Sequence, residues 1–127
     1  MHTFTYALYP HGETWKEAGT VQESYKLNQP AYVVAAGQPG QAASYAAVDQ
    51  KNVILETVKE AENGNGTVLR LYECENARTK TVLTVPAGVT HAYSTNLLEE
   101  IEEELPVENG QVAFTIRPYE IKTILLR

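Results

Sequence analysis

Few side chains in this sequence are of a type and spacing that could do chemistry, and the imidazoles come first. The three histidines, His2, His11 and His91, lie far apart. None has a second donor at the spacing of a zinc-binding His pair or of two cysteines separated by two residues, so no metal site built from this chain alone is expected. His91 opens an expected strand and reads as a surface or core histidine. His11 sits in the turn Pro10-His11-Gly12. Loops display binding groups, so His11 is the one candidate substrate contact, although a turn histidine that bonds to nearby backbone fits the same pattern.

The acidic run Glu99, Glu100, Glu102, Glu103 and Glu104 offers carboxylates, the groups that serve as acid and nucleophile in glycoside hydrolysis. Successive glutamates on a strand point to alternating sides, and no apolar pocket is evident that would split their pKa values. A solvated loop or strand edge is the expected role, and charge there also discourages edge-to-edge pairing. Ser24, Ser44 and Ser94 lack the Gly-x-Ser-x-Gly elbow of a hydrolase nucleophile. Gly64-Asn65-Gly66 lies between strands and not before a helix, the wrong context for a phosphate loop. Eight tyrosines and one tryptophan could stack on sugar rings. Tyr6, Tyr25 and Tyr72 instead hold the periodic positions of packed aromatics. No catalytic residue is assigned.

The elements that would position these groups belong to one domain over residues 1–127, a length that buries roughly two-thirds of the unfolded surface. The chain is 43 % hydrophobic and 20 % charged, as a folded globular protein is. Its formal net charge of -6 opposes binding to phosphate backbones, so nucleic acid is excluded as a partner. No apolar run reaches the roughly 20 residues that span a bilayer, and the first residues lack the basic and apolar regions of a signal peptide. One cysteine, Cys74, precludes an internal disulfide, and it falls in an alternating run that would bury it. A soluble, cytoplasmic protein without a membrane partner is expected.

Residues 2–9 alternate, with Phe4, Tyr6 and Leu8 on one side, and predict a strand. From Glu13 the spacing of Trp15, Ala18, Val21 or Gln22, and Tyr25 predicts a short amphipathic helix, weakened at Gly19 and closed at Asn28-Gln29-Pro30. Residues 31–36 and 44–49 read as extended, joined by a turn at Gly37-Gln38-Pro39-Gly40. Residues 53–61 and 67–75 flank Asn63-Gly64-Asn65-Gly66, the turn chemistry of an antiparallel hairpin. Residues 80–85, 89–98, 111–116 and 119–126 complete eight or nine strands about ten residues apart. The fold class is therefore all-β, a mainly antiparallel β-sandwich with one short helix after the first strand.

Four segments carry a family resemblance. Asn52 to Lys59, the Gly-rich turn and Val68-Leu69-Arg70-Leu71-Tyr72-Glu73 resemble the tail of family 38 α-mannosidases, where "K-x-A-E" leads into "R-L-Y-E". Thr95-Asn96-Leu97-Leu98-Glu99-Glu100 is similar to the "N-L-L-E" segment of that family, and Pro118-Tyr119-Glu120-Ile121-Lys122-Thr123 to its closing "P-Y/F-E-I-K-T" strand. Phe4-Thr5-Tyr6-Ala7-Leu8-Tyr9-Pro10-His11 resembles the strand that opens its last domain. The resemblance implies a non-catalytic C-terminal domain that packs against the catalytic and helical domains of the same enzyme. It also implies that the zinc ion and the nucleophile belong to preceding parts of that enzyme, which would act on mannose-containing glycans. Two rivals remain open from the residues: a free-standing carbohydrate-binding module, and an interaction domain of another hydrolase.

Overall fold

A computed structural model describes residues 2–29, 31–35, 37, 40 and 42–127. The chain divides into two compact units, residues 1–40 and residues 41–127.

In the first unit, residues 2–9 form no strand. Phe4, Tyr6 and Leu8 are 80 %, 84 % and 93 % exposed. The alternation is real, but a strand exists only when a ladder partner takes up its N–H and C=O groups, and none does so among the described residues. The expected strand at 31–36 is likewise absent over 31–35, while Pro30, Ala36, Gln38 and Pro39 lie outside the described residues. The helix α1 spans Thr20–Asn28 and so precedes every strand. It starts later than the spacing from Glu13 implied because Gly19 is left-handed, with φ 64°. Before it, Thr14 and Glu17 close a separate turn. The Thr14 N–H donates to Glu17 Oε2 at 3.2 Å while Thr14 Oγ1 accepts from the Glu17 N–H at 3.4 Å, the reciprocal pair of a capping box, and the Thr14 hydroxyl donates to Glu17 Oε2 at 2.6 Å. The Lys26–Glu23 pair, at 2.5 Å, supports the last turn.

Among its described residues the second unit holds eight strands: β1 (Ala47–Val48), β2 (Val53–Glu60), β3 (Thr67–Glu73), β4 (Thr79–Thr84), β5 (Ala92–Thr95), β6 (Ile101–Leu105), β7 (Gln111–Ile116) and β8 (Ile121–Leu126). One sheet has the order β1-β4-β7 and the other β2-β3-β8-β5-β6. Every pairing is antiparallel. Leu69, Leu71, Ile124, Leu126, Ala92 and Leu105 of the larger sheet meet Leu83, Val112, Ile116 and the half-buried Phe114 of the smaller one in a single apolar cluster. The two sheets thus form a sandwich, the arrangement that antiparallel strands with one apolar face reach when those faces are stacked.

The hairpin β2–β3 turns where expected, at Asn63-Gly64-Asn65-Gly66. Gly66, with φ 124°, also lies against β8, where a Cβ would fall 2.3 Å from the Leu126 carbonyl oxygen. The run 99–104 divides. Ile101–Leu105 is the edge strand of the larger sheet, paired only with β5, and its exposed Glu102, Glu103 and Glu104 guard that edge. Replacing Gly66 by Ala forces both a clash with backbone and a positive φ on a residue with a Cβ, so Gly66→Ala is expected to cost at least about 2 kcal/mol, read as a lower urea midpoint at unchanged m-value.

Candidate functional site

His11 is exposed in its turn, and its Nδ1 lies 2.5 Å from the Glu13 carbonyl oxygen. Nδ1 therefore carries the proton, and Nε2 is the nitrogen left for a ligand. The Tyr9 ring is 5.8 Å away. His91 stacks on Tyr93 at 6.3 Å and faces Glu104 Oε1 at 3.3 Å, a surface pair at the sheet edge. Among the described residues no three His, Cys, Asp or Glu side chains gather closely enough to hold a metal ion.

The most constrained polar side chain is Glu73, at the end of β3 and 1 % exposed. Along β3 it follows Leu69 and Leu71 on the face that meets the other sheet. Its Oε1 accepts from Asn52 Nδ2 at 2.9 Å and from the Glu75 N–H at 2.8 Å, and its Oε2 accepts from the Tyr119 N–H at 3.0 Å. Asn52 Nδ2 also donates to Thr79 Oγ1 at 2.7 Å. Three connections cross from one sheet to the other at this end: β1 to β2 through Asn52, β3 to β4 through Glu75, and β7 to β8 through Tyr119. One carboxylate ties all three. Burial pushes its pKa up, but the N–H groups of Tyr119, Glu75 and Ala77 and the Asn52 amide outweigh that and hold it below the usual carboxylate range. Tyr119, whose N–H donates to Glu73, has a left-handed φ of 55°. Such a conformation costs about 1–3 kcal/mol in a residue that is not glycine. Sequence reading missed this site, although a lone glutamate in register with two core leucines was the available signal.

A second constellation covers the outer face of the larger sheet. There Val68 and Leu125, both fully buried, pack with Ala61 and Tyr93. The β5–β6 loop folds over this face. Arg70 Nη2 donates to the Leu97 carbonyl at 2.9 Å, while Glu99 accepts from the Glu62 N–H at 2.7 Å and pairs with Lys59 at 2.9 Å. The Glu62 N–H bond, then Lys59, keep the Glu99 carboxyl below its ordinary value. Asp49, held chiefly by the Val82 N–H, and Glu120, where hydrogen bonds from Arg117 overcome burial, are shifted down as well. A general acid needs a carboxyl raised toward neutral pH. These four are pushed the other way and act as fixed acceptors for backbone and cation.

Fold and polar sites together define a structural β-sandwich whose carboxylates secure corners and loops. The chain belongs to the family described as glycosyl hydrolases family 38 C-terminal beta sandwich domain, whose profile matches residues 52–124. Alpha-mannosidase 2C1 of Homo sapiens is 35 % identical over 132 residues, covering 98 % of this chain and 13 % of that protein. The Mus musculus protein of the same name is 33 % identical over the same shares. Alpha-mannosidase G of Dictyostelium discoideum is 30 % identical, over 96 % of this chain and 12 % of its own length. The chain therefore spans only about 13 % of the length of the relatives it matches.

Glu73→Gln replaces one acceptor oxygen by an NH2 that faces N–H donors, and is expected to destabilise the fold by about 2–4 kcal/mol. The folded pKa of Glu73 lies below the unfolded one, so its stabilisation is complete above the ordinary carboxylate range and is lost as pH falls through the folded value. Urea midpoints from neutral pH down to pH 3 should fall less steeply for Glu73→Gln than for the native chain; parallel slopes would assign the acid sensitivity to other groups.

Proposed function

We propose that residues 1–127 form the non-catalytic C-terminal domain of an α-mannosidase and prop its catalytic and helical domains. The carrying observation is the near end-to-end match of this chain to about 13 % of each of two α-mannosidases. The downward-shifted, backbone-bonded carboxylates support the same division of labour, because they are committed to holding turns. Catalysis of α-mannoside hydrolysis, the zinc ion and the principal contacts with mannose-containing glycans then belong to the preceding domains. The buried Cys74, which forms no disulfide, suits a reducing cytoplasm. No helix among the described residues is long and apolar enough to cross a membrane.

In this reading the Pro10-His11-Gly12 turn borders the sugar pocket of the assembled enzyme, with His11 Nε2 reaching a hydroxyl. The purified chain supplied with zinc should leave p-nitrophenyl α-mannoside intact, whereas the multidomain polypeptide should cleave it. Turnover by the chain alone, or saturable quenching of Trp15 fluorescence by mannosides, would overturn the proposal. In the multidomain polypeptide, His11→Ala should raise KM about 3- to 10-fold, the worth of one hydrogen bond, with kcat little changed. An unchanged KM removes His11 from the pocket.

A further inference from the structure

We infer that the β5–β6 loop is a docking knob, and that Leu97 and Leu98 at its crest seat in an apolar pocket, rimmed by Lys and Arg, on the catalytic portion of the same polypeptide. The inference rests on the reading above and names the surface that does the docking. Leu97 is 58 % and Leu98 80 % exposed. Scattered apolar residues on a surface need no explanation, but these two are adjacent and held in place. Asn96 Oδ1 accepts from the Leu98 N–H at 2.9 Å and the Glu100 N–H at 3.0 Å, and the Asn96 N–H donates to the Glu100 carbonyl at 3.1 Å. Arg70, Lys59 and the Glu62 N–H then fasten Leu97 and Glu99 to the sheet. A crest fixed before contact loses little conformational freedom on docking, which is how a small apolar feature gains affinity.

The surroundings select the occupant. Glu62, which also pairs with Lys59, and Glu100 and Glu102 are exposed on and beside the loop, and Ile101, also exposed, adds apolar surface there. An acidic rim around an apolar crest complements a basic rim around an apolar pocket. Two copies meeting crest to crest would oppose like charges on chains that each carry -6. The matched relatives are about eight times longer than this chain, so ample polypeptide exists to supply the pocket.

Maleimide labelling of cysteines introduced beside native Cys74, with each labelled site assigned by peptide mapping, tests this. Leu98→Cys and Leu97→Cys are placed on the knob and Thr115→Cys on the exposed face of β7, with native Cys74, which is buried, reporting any loss of folding. The expected result is fast labelling of both knob probes in the 127-residue chain and at least 10-fold slower labelling in the multidomain polypeptide. Slowing at Thr115→Cys but at neither knob probe would show docking through another face, overturning this inference and leaving the proposed function intact. Equal rates at all three positions in both proteins would overturn both. Slowing of the knob probes in the isolated chain as its concentration rises would replace the partner by a second copy and overturn the inference.

Discussion

A single buried carboxylate decides the shape of one end of the sandwich. Glu73 meets N–H groups from connections that a two-sheet fold must otherwise leave to water, and it does so where three of those connections change sheets. Removing a carboxylate from water is expensive unless its lone pairs are filled, so the site is stable only when all three corners are in place together. The coupling runs both ways. Correct corners supply the donors that favour the charged form of Glu73, and Glu73 in turn binds the N–H of Tyr119, a residue with a left-handed backbone. The apolar cluster supplies most of the driving force for stacking the sheets, while Glu73 determines how the strands are connected at that edge of the core.

The second polar device obeys the same rule at lower cost. Glu99 takes a left-handed φ of 67° and uses its carboxylate to fasten the β5–β6 loop to Lys59 and the Glu62 N–H. β8 lies between β3 and β5 and packs on both faces, Ile124 and Leu126 in the cluster between the sheets and Leu125 with Val68, Ala61 and Tyr93, so it shows no simple alternation: Thr123 to Leu126 are all buried.

Much of this was legible in the residues. Period-2 patterning and Asn-Gly chemistry located the β2–β3 hairpin, and residues 111–116 match β7 at both ends. The family resemblance matches the profile found over residues 52–124. What failed did so for physical reasons. The pattern at residues 2–9 reports which side of a segment is apolar and says nothing about whether a neighbour is present to complete a ladder. Gly19 could be seen as a weak point, but not that it would take the left-handed conformation and delay α1. Glu73 went unnoticed because its partners are N–H groups of residues up to 46 positions away, and backbone donors leave no mark in a sequence.

The place of β8 in the larger sheet has a consequence for assembly during synthesis. In the backbone ladder the pairs β2-β3 and β5-β6 are joined through β8, which is the last strand in chain order and lies between them. A ribosome that has released everything up to Ile116 has thus produced two ribbons, each with an unpaired inner edge, and no continuous sheet. Those edges offer open hydrogen-bonding sites to any extended segment nearby until residues 121–126 emerge and zip them together. The vulnerable interval for aggregation accordingly falls late, in the final moments of translating this region.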